Sequence, residues 1–212
     1  MRKSFVNTVF LLVILLLCFS KIAFSQKEGN IWYFGGKAGI SFNSGSPVAL
    51  TNSAMFQYDG CATISDSNGN LLFYSNGVDV WNKNHTIMDN GNGLLGGYAS
   101  TQSCVAVKKP KSDSIYYLFT VDDVAGPNGF CYSVISMKRN GGLGKVISKN
   151  TKLLYPTTEK VTAVRHRNKT DIWVITHGWD TNAFFAYLVT PSGISSTPVV
   201  SSVGTKHSGS LT

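Results

Sequence analysis

Short apolar runs alternate with polar, glycine-rich turns along most of this chain. Residues 61–75 show the pattern most clearly, because the apolar run 62–64 is followed by the polar turn 66–70 and a second apolar run, 71–74. Two β-prone runs around an Asn-Gly turn predict an antiparallel hairpin. No run beyond the first 25 residues follows the 3.6-residue helical period, so helices are expected to be minor.

The hairpin pattern recurs twice farther along the chain. The later pairs of apolar runs are 105–107 with 115–119, and 162–164 with 172–175. Each pair is followed by a third β-prone run (78–81, 130–135 and 183–188) and by a shorter fourth run (near 86–88, 145–147 and 198–200). Four β-runs that repeat about every 40–50 residues are typical of β-propeller blades.

The first unit is shorter than the others. Residues 30–34 match the second strand of a later unit, 171–175, so the innermost strand of the first unit is expected to be absent. We predict an all-β fold of propeller-like, four-stranded antiparallel blades, with three full units and one partial unit, in a partial propeller domain over 26–212. The units are placed at roughly 26–58, 59–100, 101–157 and 158–203.

So few units favour the front part of a longer propeller, because an open arc of sheets leaves strand edges unpaired. A small self-contained propeller and a curved sandwich are the alternatives.

The first 25 residues have the features of a secretory signal peptide. A basic start is followed by an apolar run from 5 to 19, and the small residues Ala23 and Ser25 stand just before Gln26. A membrane anchor is the alternative, although the apolar run is short for a span. The pattern predicts cleavage after Ser25 and a secreted, extracellular or outer-surface protein without a membrane span after cleavage.

Composition and charge narrow the possible partners. Charged residues make up 14% of the chain and aromatic residues 12%, and there are 21 glycines, which suits an all-β protein with tight turns. Of 19 Lys and Arg residues the leader contains Arg2, Lys3 and Lys21, and it contains none of the 11 acids, so cleavage leaves a net charge of +5. That excess either favours anionic glycans and cell surfaces or is an ordinary solvated surface. No dense basic cluster with interleaved aromatic residues indicates nucleic-acid binding.

Metal binding and disulfide bonding are not expected. The turn 66–70 has oxygen ligands at alternate positions, as calcium loops do, but it lacks the closing acidic residue, so a turn capped by Asp66 is favoured. The turn also differs from the Asp-box of sialidase-type propellers, because Ser67 and Leu72 stand where that motif has an aspartate and an aromatic residue. No two histidines have the spacing of local metal ligands. The three cysteines left after cleavage, Cys61, Cys104 and Cys131, are too few and too sparse for a disulfide framework and are expected to be buried. No cofactor is expected.

Aspartate side chains are candidates for catalysis, and tryptophan and histidine side chains are candidates for ligand binding. Asp79, Asp122 and Asp123 are candidates for the paired carboxylates of a glycosidase, but Asp79 is predicted to lie within a strand and the other two at the start of a loop, so structural roles are favoured. Trp32 and Trp173 hold equivalent repeat positions and are expected in the core. His177 and Trp179 are the candidate ligand-binding residues. His177 is predicted to follow a strand, and Trp179 is predicted to lie in the loop after it, where its ring could stack on a sugar or a partner side chain.

Four segments carry a family resemblance. Residues 28–35, 60–74, 80–85 and 171–178 resemble the N-terminal propeller region of large secreted Bacteroidetes proteins, over nearly all of 26–212. In that family the propeller is followed by Ig-like or PKD-like modules and by a sorting domain for type IX secretion, often labelled gliding-motility-associated. The resemblance implies export to the outer surface or the medium, and a longer chain that carries the remaining domains.

These observations predict a non-enzymatic binding or scaffold module. Its candidate partners are an extracellular glycan, a surface protein and the remaining domains of a longer chain. A secreted carbohydrate-active hydrolase and a surface adhesin are the alternatives. An enzyme would be expected to gather carboxylates near the ends of its innermost strands, and the innermost runs 62–64, 105–107 and 162–164 contain none.

Overall fold

The computed structural model describes residues 27–209, and the fold there is all-β, as predicted. The strands form four separate antiparallel sheets. Within this range the one helical segment is a single 3-10 turn, Asn140–Gly142. No helix in this range has the length and apolar character to cross a membrane. The predicted signal peptide, residues 1–25, lies outside the described residues.

The four sheets follow one another along the chain. The first contains β1 (Ile31–Phe34), β2 (Ala38–Ser41) and β3 (Val48–Leu50), and the second contains β4 (Ala62–Ser65), β5 (Leu71–Ser75) and β6 (Val80–Asn82). The third contains β7 (Cys104–Lys108), β8 (Ile115–Val121), β9 (Phe130–Ser136) and β10 (Lys145–Leu154). The fourth contains β11 (Thr157–Arg165), β12 (Ile172–Gly178), β13 (Thr181–Thr190), β14 (Gly193–Ile194) and β15 (Val199–His207), with β14 and β15 both paired to β13.

All three predicted hairpins form, as β4–β5, β7–β8 and β11–β12. In each hairpin the next-to-last residue of the first strand lies opposite an aromatic residue of the second: Ile64 opposite Phe73, Val107 opposite Tyr117 and Val164 opposite Trp173. The sequence repeat therefore corresponds to a repeat of strand pairing.

The sheets differ from the predicted four strands each. The run at 86–88 forms only an isolated bridge between Trp81 and Ile87, so the second sheet has three strands. The fourth sheet has five strands because a short hairpin, β13–β14, precedes β15. The first sheet has three strands with β1 at its edge, in line with the missing innermost strand.

The core lies between successive sheets. Alternation along β8 sends Tyr116 and Leu118 towards one neighbour and Tyr117 and Phe119 towards the other. Because β8 is buried on both faces, its sequence is a continuous apolar run rather than an alternating one. Three clusters of buried side chains result, one between each consecutive pair of sheets.

The first strands of neighbouring sheets lie next to one another. β4 contacts β7, β7 contacts β11, and β1 contacts β4. Backbone and side-chain hydrogen bonds join these neighbours, such as the 3.2 Å bond from the Gln102 N–H to the Glu159 carbonyl and the 3.2 Å bond from the Val161 N–H to Oε1 of Gln102. The sheets are therefore stacked in chain order with their leading strands together.

Each terminal sheet has an apolar face without a covering sheet in the described chain. On the fourth sheet, cross-strand pairing aligns Val164 with Trp173, and Val164 is 52% exposed. Phe184 and Val199, on β13 and β15, are also exposed.

On the first sheet Trp32 is 53% exposed, which makes its predicted core position wrong. The reason is strand alternation: Tyr33 points into the core, so its neighbours on β1 point outward.

Candidate functional site

A cavity opens at one end of the stacked sheets. We define the turn end as the end at which the first strand of each hairpin turns into the second, through residues 66–70, 109–114 and 166–171. The segment that leads into β1 reaches the same end. The cavity has a volume of about 570 Å³, which is in the range of small-molecule sites.

Equivalent repeat positions line this cavity. Ser65, Lys108 and Arg165 each close the first strand of their hairpin, directly after Ile64, Val107 and Val164. Because the leading strands are adjacent, side chains from three different sheets reach one space. The site is therefore a product of the repeat. Each sheet contributes a different side chain from the same repeat position, namely Ser65, Lys108 or Arg165.

Two hydroxyl groups are available in the cavity wall. Ser65 is only 2% exposed, and its hydroxyl has no hydrogen-bond partner among residues 27–209. Tyr116 also lines the cavity, and its pKa is raised by burial and then by the negative charges of Glu28 and Asp66. The Tyr116 hydroxyl is therefore a protonated donor at neutral pH.

The Asp66 carboxylate at the cavity is committed to its own turn. It accepts hydrogen bonds from the backbone N–H groups of Asn68 and Asn70, both at 2.9 Å, and from the Asn70 side chain at 3.0 Å. Desolvation acts to raise the pKa of Asp66, but these hydrogen bonds outweigh it and lower the pKa below 3.8. The interpretation of residues 66–70 as a turn capped by Asp66 is confirmed.

The Asp113 carboxylate is also held in its charged form. Its Oδ2 lies 2.7 Å from Lys138 Nζ, and Ser114 donates to Oδ1 at 3.0 Å. The hydrogen bond from Lys138 and then that from Ser114 lower the pKa of Asp113. Two of the three carboxylates at the cavity are thus ionised and already hydrogen-bonded.

The two cations of the cavity are free of such partners. Lys108 and Arg165 are exposed, and neither forms an ion pair with a carboxylate in the described part of the chain. Their charges remain available to a ligand.

The predicted ligand-binding residues lie at the opposite end of the sheets. His177 lies within β12, not after a strand as predicted, and it is only 4% exposed. Its Nδ1 is 2.8 Å from the Gly178 carbonyl, and its ring contacts Phe184 and His207 at centroid distances of 4.6 and 4.5 Å. Trp179 lies in the turn after β12 and is half-buried. The two residues are neighbours in the chain, but neither lines the cavity at the turn end.

The three aspartates considered for a carboxylate pair lie in loops. Asp79 lies in the loop before β6 rather than within a strand, and burial raises its pKa. Asp122 accepts backbone hydrogen bonds from Asp123 and Asn128, both at 3.0 Å, so it caps its own loop.

The cysteines are free thiols. Cys104 and Cys131 are buried and Cys61 is half-buried. Burial raises the pKa of the Cys131 thiol to about 11, so this group is an unreactive thiol at neutral pH. Within residues 27–209 no three His, Cys, Asp or Glu side chains come together as metal ligands.

Sequence analysis missed the cavity residues Ser65, Lys108 and Arg165. A signal for them was present, since they hold one position in the repeat. Comparison with protein-family models, with curated proteins and with solved structures finds no match to this chain. The resemblance to secreted Bacteroidetes propellers therefore stays a prediction from sequence motifs.

Proposed function

We propose that this chain is a non-enzymatic binding and scaffold module of an exported bacterial protein, built as part of a β-propeller. The stacking of sheets in chain order with adjacent leading strands supports this architecture. In such an array the sheets are a rigid support, and the turns at one end present side chains to a ligand.

The uncovered apolar faces of the two terminal sheets support a longer array. Interior sheets are covered by neighbours through residues such as Val174 and Tyr187, and the outer face around Val164 and Phe184 has the same apolar character. A further sheet of the same kind would remove this surface from water.

The edge of β1 also has room for a partner. A cavity of about 240 Å³ lies there, lined by residues 32–34 with Cys61 and Thr63.

The observation that carries the binding function is the cavity at the turn end. Three sheets contribute the same repeat position to it, which is how a ring of repeated units forms an axial site. The unpaired Ser65 hydroxyl and the free charges of Lys108 and Arg165 give it polar groups that are not used by the fold.

A secreted carbohydrate-active hydrolase is the alternative, because Glu28, Asp66 and Asp113 all line this cavity. A glycosidase needs one carboxyl group that stays protonated as the acid, which requires a raised pKa. The pKa values of Asp66 and Asp113 are lowered instead, and this favours binding over hydrolysis.

The test measures binding and cleavage together. The full chain, exported with its own leader, is applied to a panel of matrix polysaccharides and to bacterial surface proteins, and reducing ends are counted in parallel. We expect retention on a ligand without release of reducing ends. Release of sugar would establish the hydrolase, and a failure to bind any member of either panel would remove the binding function. A surface adhesin would be retained on whole cells through the same ligand.

The export step has its own measurement. Mass spectrometry of the secreted product is expected to give a chain that begins at Gln26, since Ala23 and Ser25 fit a signal-peptidase site. A product that retains residues 1–25 in the membrane would support the anchor.

A further inference from the structure

Positive charge is unevenly distributed between the two ends of the sheets. Six basic residues at the turn end, here called the basic rim, come from the hairpins of the third and fourth sheets: Lys108, Lys109, Lys111, Arg165, Arg167 and Lys169. The acids at this end are fewer: Glu28, Asp66, Asp113 and Asp171. The opposite end carries the acids Asp59, Asp79, Asp122, Asp123, Glu159 and Asp180. It holds the cations Lys37, Lys149, Lys152, Lys160 and Lys206, which the acids there outnumber.

The basic rim surrounds the cavity. Lys108 and Arg165 line its wall, and the other four rim residues lie in the two turns that continue from these strand ends. No rim residue forms an ion pair with a carboxylate among residues 27–209, where the three ion pairs involve Lys138, Lys145 and Lys206. The excess positive charge is therefore concentrated beside a cavity and is not neutralised by the fold.

Two residues of the basic rim have an unfavourable backbone conformation. Lys111 and Lys169 have φ angles of 60° and 63°, in the left-handed region that favours glycine. The equivalent position to Lys169 in the β4–β5 turn is Gly69, with φ of 87°. Lysine at such a position carries a conformational cost that glycine would avoid. The property that lysine adds there is its positive charge, and a binding role would use that charge.

We propose that the basic rim and the cavity beside it bind an acidic polysaccharide, with a uronate carboxylate held between Lys108 and Arg165. This inference rests on the proposed binding function and names its ligand. The orphan Ser65 hydroxyl and the Tyr116 hydroxyl bind sugar hydroxyls in the wall, and the Glu28 carboxylate accepts from them. A cavity of about 570 Å³ has room for such sugar units.

The mixture of charges favours a polysaccharide over a nucleic acid. Glu28, Asp66 and Asp113 lie among the cations, where they repel the closely spaced phosphates of a nucleic acid. A polyuronate such as alginate has one carboxylate and two hydroxyl groups per sugar unit, which matches cations interspersed with acceptors.

The experiment measures affinity for sodium alginate by microscale thermophoresis with the full chain. We expect binding in 50 mM NaCl that weakens steeply by 300 mM NaCl, because exposed charges are screened by salt. The double variant K108A/R165A is expected to lose about tenfold or more in affinity, the size of effect that removal of direct charge contacts produces. Circular dichroism is expected to show that this variant folds, since both side chains are exposed.

The matched control removes two charges from the opposite end. K149A/K152A is expected to bind alginate within about twofold of the unchanged chain, because these lysines lie away from the cavity. An equal loss in both double variants would show non-specific attraction and overturn the proposal. Unchanged binding in K108A/R165A would overturn it as well.

Further probes test the class of ligand independently of the proposed binding function. Neutral dextran is expected not to bind, and single-stranded DNA to bind more weakly than alginate at the same salt. Tighter binding of DNA would overturn the polysaccharide class. If the chain ignores alginate but is retained on another member of the polysaccharide and protein panels, this inference fails and the binding function stands. Release of reducing ends from alginate would overturn the non-enzymatic function and leave the ligand class intact.

Discussion

At the scale of single residues, the turn positions Gly69 and Lys169 show the same backbone with different side chains. Each N–H bonds to the carbonyl three residues earlier, and both φ angles are positive. A left-handed backbone costs a non-glycine residue about 1–2 kcal/mol. Lys169→Gly is therefore expected to raise the free energy of unfolding by about 0.5–1 kcal/mol in urea titrations, net of the entropy of glycine.

Arg167→Gly is the control for this prediction. Arg167 is an exposed residue of the same turn and is not among the described residues with positive φ, so glycine there is expected to leave stability unchanged or lower it. Equal effects of the two substitutions would mean that the backbone of Lys169 is not strained.

Asp66 makes the stability of the chain sensitive to acid. Its pKa in the folded state is lowered below 3.8, so its stabilisation is fully present above that pH and is lost as the pH falls through the folded value. Asp66→Asn is expected to cost about 1 kcal/mol at pH 7 and progressively less towards pH 2, measured by urea unfolding across pH. A difference between Asp66→Asn and the unchanged chain that stays constant from pH 7 to pH 2 would contradict the assignment.

The burial of single side chains, and their positions relative to strand ends, were the features that the sequence predicted least well. Trp32 was expected in the core because it matches Trp173, but only one face of β1 is covered and Trp32 lies on the other. His177 was predicted to follow its strand, next to Gly178, yet β12 continues through both residues. In each case the outcome depended on register and on neighbouring sheets, which local sequence does not contain.

At the scale of elements, the edge of β1 is hydrogen-bonded to side chains of the second sheet: Thr63 bonds to both backbone groups of Tyr33, and Cys61 Sγ also donates to the Tyr33 carbonyl at 3.3 Å. Thr63 Oγ1 receives a 2.9 Å hydrogen bond from the Tyr33 N–H and donates to the Tyr33 carbonyl at 3.2 Å. Thr63→Val leaves both backbone groups without this partner and is expected to lower the free energy of unfolding by about 1–2 kcal/mol. The exposed Thr162 of β11 is the control, and Thr162→Val is expected to change stability by less than about 0.5 kcal/mol.

The strands themselves were largely predictable. The Asn-Gly turn and the flanking apolar runs correctly gave β4 and β5, and the same pattern gave β7–β8 and β11–β12. The fourth runs were harder, because 86–88 makes one bridge whereas 145–147 begins the ten-residue strand β10. A strand at the outer edge pairs on one side only, so its length is set by the neighbour and not by its own sequence.

At the scale of the whole molecule, coverage by a neighbouring sheet decides the contribution of an apolar side chain. Val174 of β12 faces the third sheet and is fully buried, whereas Val164 of β11 lies on the outer face and is 52% exposed. Val174→Ala is expected to cost about 2 kcal/mol or more, and Val164→Ala less than about 0.5 kcal/mol, in chemical unfolding. Similar costs at both positions would show that the outer face is covered in solution.

The cavity at the turn end is a property of the whole assembly. Glu28, Lys108 and Arg165 are far apart in the chain and come together only because the leading strands are adjacent. The sequence held half of this information, since Lys108 and Arg165 share a repeat position, but it did not say which ends of the strands would face a common space.

The strongest contacts of each sheet are with the sheets before and after it, and this has a consequence for motion. The third sheet is covered by a neighbouring sheet on both faces, while the first and the fourth are each covered on one face. Opening should therefore begin at the ends of the array and move inward, as in other one-dimensional arrays. Amide protons of β8 and β9 would then exchange with deuterium most slowly and those of β15 most quickly, because the terminal sheets open before the third sheet does.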